Sequence, residues 1–212
     1  MLTKKAAAFA LLLAFTISSF ACADEVRHHE FDANGLDSLR MSVNVGSINI
    51  HDGESDTITV HLTLEDDGEN NWFNFRDSNL DASTDMESER RGSALYLHFD
   101  EDDIKSTWEI SVPAHFSTEI DLAVGAVQIS GLSGDQEVDL AVGSVSIRQA
   151  EHSIAEVALE SNIGDTQVSG IQADNDRKAL IGSASSARGE GASYIDVTVN
   201  VGEANLRATA VQ

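Results

Sequence analysis

The chain has a single cysteine, few basic residues and, at 6%, few aromatic ones. One cysteine excludes a disulfide framework and a cysteine-built zinc site. Lys and Arg number 13 against 36 Asp and Glu, a formal net charge of −23. A chain this acidic lacks the cationic face that nucleic acid or an anionic membrane requires. Catalytic signatures are missing as well. There is no Gly-x-Ser-x-Gly elbow, no phosphate-binding glycine loop and no cysteine nucleophile. None of the seven histidines forms an HxxxH or HExxH pair. After the first 23 residues no long apolar run recurs. What is present is a 42% hydrophobic fraction in 212 residues, enough for a packed core in one domain or two small ones.

Residues 1–23 read as an export signal. Lys4 and Lys5 precede an unbroken apolar run from Ala6 to Phe15, and Ala21-Cys22-Ala23 has the small-x-small form of a cleavage site. The run is short of the ~20 residues a spanning helix needs. Cleavage after Ala23 removes two basic residues and no acid, so the mature net charge becomes −25. The expected location is the periplasm or the exterior. Lipid anchoring through Cys22 is the competing reading, but Ser19 occupies the position where lipoproteins usually carry leucine.

An internal repeat organises residues 24–212. Ile120 to Ile129 (IDLAVGAVQI) and Val138 to Ile147 (VDLAVGSVSI) are near copies, and Met41 to Ile50 (MSVNVGSINI) is a third. Weaker copies centre on Gly164, Gly182 and Gly202. Relative to each glycine, positions −3, −1, +2 and +4 are mostly apolar, and the positions between are polar or small. That is strand alternation on both sides of a glycine bend. Short segments repeating about every 20 residues bury their apolar faces by stacking. The expectation is an all-β, single-stranded parallel β-helix, or solenoid, with each copy lying on the one before it. An antiparallel sandwich is the alternative, although it rarely repeats one hexapeptide at a fixed offset.

Between the first copy and the regular block, Thr57–Leu64, Ala94–Phe99 and Thr107–Val112 alternate as strands. Asp66–Asn71 and Asp77–Arg91 read as loops. Gly46 and Gly125 are 79 residues apart, room for about four irregular N-terminal rungs.

Trp108-Glu109-Ile110-Ser111-Val112-Pro113 leads directly into Thr118 to Gly134, following the strand-Gly-strand unit Val43–Ile50. This arrangement resembles the bacterial "putative adhesin" families of unknown function, over nearly the whole mature chain. The resemblance implies a right-handed β-helix in an exported or envelope-linked protein. It carries over no catalytic residues.

Several groups are candidate sites. Four residues before successive glycines stand Asp121, Asp139 and Glu160, then Lys178. Stacked in register, the three carboxylates form a row that a cation such as Ca²⁺ would relieve; a solvated acidic face is the simpler alternative. Asp100 to Asp103 reads as a solvated charge run. Trp72, Phe73 and Phe75 either cap the N-terminal end of the stack or dock a sugar or a partner. Only Arg207 to Gln212 follow the last copy, so the expected open end invites end-to-end self-association.

The functional expectation is a non-enzymatic envelope scaffold that presents a rigid acidic face to an envelope protein or glycan. A carbohydrate-active β-helix enzyme is the alternative, with Asp121 and Asp139 as its carboxylates. A cation-stabilised structural module is another.

Overall fold

The computed structural model describes residues 25–66, 84–101, 104–178 and 181–210. Residues 1–23, expected from the sequence to be an export signal and including Cys22, and the cluster Trp72, Phe73 and Phe75, lie outside them.

Among the described residues, twelve strands form one mixed sheet. They are β1 (Glu25–Asp32), β2 (Ser38–Asp52), β3 (Thr57–Asp66), β4 (Glu87–Arg91), β5 (Ala94–Phe99), β6 (Ile104–Val112), β7 (Ser117–Ser130), β8 (Gln136–Ala150), β9 (Ile154–Ser169), β10 (Ala173–Lys178), β11 (Ser183–Arg188) and β12 (Ser193–Thr209). The main path runs β1-β3-β6-β2-β7-β8-β12-β9-β11-β10 and does not close into a barrel.

The repeat forms its centre. β2, β7, β8, β12 and β9 pair in parallel and in register, so that Gly46, Gly125, Gly143, Gly202 and Gly164 stack in one column. Each long strand bends there. Gly125, Gly143, Gly202 and Gly164 have φ between +143° and +148°, a region closed to most L-residues. A Cβ at Gly143 would overlap the carbonyl oxygen of Gly125, and the same clash recurs up the column. Glycine is therefore imposed twice, by backbone conformation and by the approach of the next strand.

The bend divides the sheet into two halves that share a core. Before the glycine, position −5 is the column Met41, Ile120, Val138, Val197, Leu159, all buried. After it, position +2 carries the buried column Ile48, Val127, Val145, Ala204, Thr166. Across the core, the ring of Phe99 on β5 meets that of Trp108 on β6 edge-on at 6.1 Å. Toward β9 the core turns polar. Ser161 donates to the Gly202 carbonyl at 2.9 Å, and Thr166 and Ser185 share a 2.8 Å hydroxyl bond.

The stacking differs from the sequence reading in several ways. Position −1 is not core: the glycine bend reverses the inside-outside phase and pushes Val124, Val142, Val201 and Ile163 outward, where they are 42–52% exposed. No rung intervenes between β2 and β7, which pair directly. The intervening chain instead covers the other side of β2, with β5 against its first half and β6 against its second. These two act as one interrupted rung, with Ser106 opposite Gly46 and Asp100 in the interruption. β1, β3 and β4 pair antiparallel, and Glu87–Arg91 is a strand where a loop was expected. All five of its residues are exposed, so it has no apolar alternation to betray it.

The order of the stack is also not the order of the chain. β12 inserts between β8 and β9. The copy at Gly182 joins no glycine column, because β11 runs antiparallel to β9. The predicted open C-terminal end is absent too: β12 has partners on both sides, and the edge there is the polar strand β10 (ADNDRK). Among the described residues no helix is long and apolar enough to cross a membrane.

Candidate interaction face

Strand alternation sends positions −4 and −6 outward from the first half of the sheet. Registered pairing then converts sequence offsets into columns across it. Position −6 is Arg40, Glu119, Glu137, Asp196 and Ala158. Position −4 is Ser42, Asp121, Asp139, Thr198 and Glu160. Six carboxylates thus occupy neighbouring places on one face.

Asp121 and Asp139 are direct cross-strand partners, as the repeat predicts. Glu160 does not follow them. Thr198 on β12 stands between Asp139 and Glu160, so the expected row of three is broken. Lys178 does not close the row either; it pairs with Asp165 at 3.1 Å. No group of three His, Cys, Asp or Glu among the described residues is placed to hold a metal ion. The second column, Glu119, Glu137 and Asp196, escaped the sequence reading. Glu119 and Glu137 could have been found, since both stand six residues before a repeat glycine. Asp196 also stands six residues before a repeat glycine, Gly202, but its place beside Glu137 required knowing that β12 follows β8.

The charges are mutually unfavourable. Partial burial pushes the Glu137 carboxyl above its ordinary value, reinforced by Glu119, Asp139, Asp196 and Asp121. Asp196 is raised by burial first, then by Asp139 and Glu160. At the β2 end Arg40 relieves the column, with Nη1 2.7 Å from Glu119 Oε2. Its guanidinium also lies 5.5 Å from the centre of the Tyr96 ring, and that of Arg91 lies 4.8 Å from it. A cavity of about 750 Å³ opens here between β4, β5 and β7.

Beside the carboxylates runs an open trough of about 310 Å³, its lining including Asp121, Asp139, Thr198, Ala123, Ala141 and Asn200. Small residues at position −2 make its floor low. Beyond them rises the exposed ridge of Val124, Val142, Val201 and Ile163. The face therefore offers acid, a trough and an apolar ridge in parallel.

No protein-family model matches the chain. No curated protein matches it either. Among solved structures it is similar to a putative cell adhesion protein from Clostridium sporogenes, at 13% identity and a TM-score of 0.47, covering 88% of this chain and 100% of that one. A putative adhesin from Parabacteroides merdae aligns at 12% identity and a TM-score of 0.25, covering 90% of this chain and 100% of that one.

The outer surface of the second half-sheet has a different character. Position +3 is Asn49, Gln128, Ser146, Asn205 and Gln167. The ladder continues through Glu109 and His61 to His28. Asn49 Nδ2 donates to Glu109 Oε2 at 2.8 Å. Position +3 is thus uncharged on all five repeat strands, while the outward positions flanking it carry Asp165 and Glu203 on one side and Arg148 and Arg207 on the other.

Proposed function

We propose that this chain is an exported, non-enzymatic, adhesin-like scaffold of the cell envelope, built as a β-solenoid-like stack. In this reading its acidic half-sheet binds a cationic, partly apolar segment of an envelope partner. The observation that carries it is the parallel run of carboxylate columns and valine ridge on strands locked in register by stacked glycines. Basic side chains of a partner would neutralise Glu137 and Asp196, whose charges the fold holds at a cost. Apolar side chains would cover Val124 and Val142. Such complementarity favours fast, salt-sensitive association.

The test is fluorescence anisotropy with a labelled peptide of alternating Lys and Val. A variant carrying Glu119→Gln, Glu137→Gln, Asp139→Asn and Asp196→Asn is compared with a control carrying Glu54→Gln, Glu101→Gln, Glu151→Gln and Glu190→Gln. Both lose four charges. The face variant is expected to bind at least about tenfold more weakly than the control, about 1.4 kcal/mol. Equal loss in both would reduce the interaction to net charge and overturn the reading. Cleavage of a glycan panel, abolished by Asp121→Asn and Asp139→Asn, would overturn its non-enzymatic part.

A further inference from the structure

We propose that His28 and His61 form a two-nitrogen site for a transition-metal ion of the copper, nickel and zinc class. The two residues are direct partners on the antiparallel strands β1 and β3. Both side chains are exposed on the same outer surface. Their Nδ1 atoms are 3.3 Å apart, and the rings lie 4.4 Å centre to centre, tilted by 44°. Two nitrogens bound at ~2.0–2.1 Å to a tetrahedral ion sit roughly 3.3–3.4 Å apart. The pair therefore already has the bite of such an ion.

The protonation pattern favours the same use. Glu30 Oε1 lies 3.3 Å from His28 Nε2. An ionised carboxylate only accepts, so neutral His28 carries its proton on Nε2 and turns the lone pair of Nδ1 toward His61. A carboxylate behind a ligating imidazole is the arrangement that orients metal-bound histidines. Without metal, His61 donates its Nδ1 proton to His28. On binding, His61 moves that proton to Nε2 through solvent, and both Nδ1 lone pairs face the ion with no net proton release. Water fills the remaining positions. Imidazole donors suit copper, nickel and zinc, whereas Ca²⁺ and Mg²⁺ prefer oxygen. The site is thus chemically distinct from the carboxylate columns on the other half-sheet.

Copper is the probe, since it heads the affinity order for nitrogen ligands; its tetragonal geometry requires the two exposed rings to close by roughly half an ångström from the tetrahedral spacing. The untagged protein is titrated with Cu²⁺ at about pH 7.5 in excess Mg²⁺, which screens the acidic face as a counter-ion. Electron paramagnetic resonance reads the coupling to ligand nitrogen. One equivalent with two-nitrogen coupling is expected. His28→Asn and His61→Asn should each weaken binding at least tenfold and remove that signature, while His152→Asn should leave both unchanged. Glu30→Gln should weaken binding less than either histidine change. Copper bound through oxygen alone, or equally well by both histidine variants, overturns the proposal.

Discussion

Thr198 sits in register between Asp139 and Glu160, separating two carboxylates that would otherwise be neighbours on adjacent strands. The substitution Thr198→Asp restores the unbroken row. Each like-charged pair placed directly opposite costs about 0.2–1 kcal/mol. Two new pairs should therefore lower the thermal midpoint by about 2–6 °C at neutral pH. Thr198→Asn should cost less, and about 0.5 M NaCl should recover most of the difference. A midpoint unmoved by Thr198→Asp would mean that the face does not feel its own charge.

The raised carboxyl of Glu137 predicts a pH dependence. Ionised, Glu137 disfavours the folded state. That penalty is absent below the ordinary glutamate value and complete above the raised folded value. Glu137→Gln should thus raise the melting midpoint by about 1–2 °C at pH 7.5. The advantage should vanish by about pH 3, well below the ordinary glutamate value, where the carboxyl is neutral in both folded and unfolded states. Differential scanning calorimetry across this range checks the sign; a variant less stable than the parent at neutral pH would contradict it.

The glycine column predicts unequal costs for one substitution. Gly143→Ala meets both an adverse φ of +144° and the Gly125 carbonyl. Gly92→Ala meets an adverse φ of +64° but has open space around its Cβ. The second should cost about 1 kcal/mol. The first should cost several times more, or prevent folding. Urea unfolding of the two variants decides, with equal losses counting against the close stacking.

Ser106 joins two elements inside the core. Its Oγ donates to the Val45 carbonyl at 2.8 Å and accepts from Trp108 Nε1 at 2.9 Å. Ser106→Ala leaves a buried indole N–H without its partner. The expected loss is about 1–3 kcal/mol, measured by denaturant titration. Quenching of tryptophan fluorescence should rise if water enters to replace the hydroxyl.

The broken row also bears on cations. With Thr198 inside it, Ca²⁺ should act as a diffuse counter-ion on this face. Thermal midpoints in Ca²⁺ and in Mg²⁺ at equal concentration should then agree. A rise specific to Ca²⁺, lost with Asp121→Asn or Asp139→Asn, would establish a chelating site instead.

The parts legible in the sequence were those governed by local repetition. Ile120–Ile129 and Val138–Ile147 announce their pairing because identical side chains recur at identical offsets, and β7 and β8 pair residue for residue. The direct pairing of Asp121 with Asp139 follows at once. Position −1 misled because valine is apolar wherever it points; only the backbone reversal at Gly125 exposes Val124. Strand order was hidden for another reason. β12 and β9 offer similar backbones to β8, and the choice rests on the core columns. Val199 continues Val43, Leu122 and Leu140, whereas Ser161 is placed where the polar end begins. The pairing of His28 with His61 joins two segments whose local patterns are unrelated, so nothing near either residue foretold it.

Placing β12 inside the stack gives the sheet an assembly sequence that differs from its order of synthesis. β9 emerges before β12, yet its parallel neighbour on the β8 side is β12 alone. Addition of strands to a free edge in their order of synthesis therefore cannot by itself produce this arrangement, in which β12 lies between β8 and the antiparallel set β9, β11 and β10. Loss of that late segment would do more than shorten the structure. It would divide it into two fragments, each ending in a bare parallel edge open to another chain.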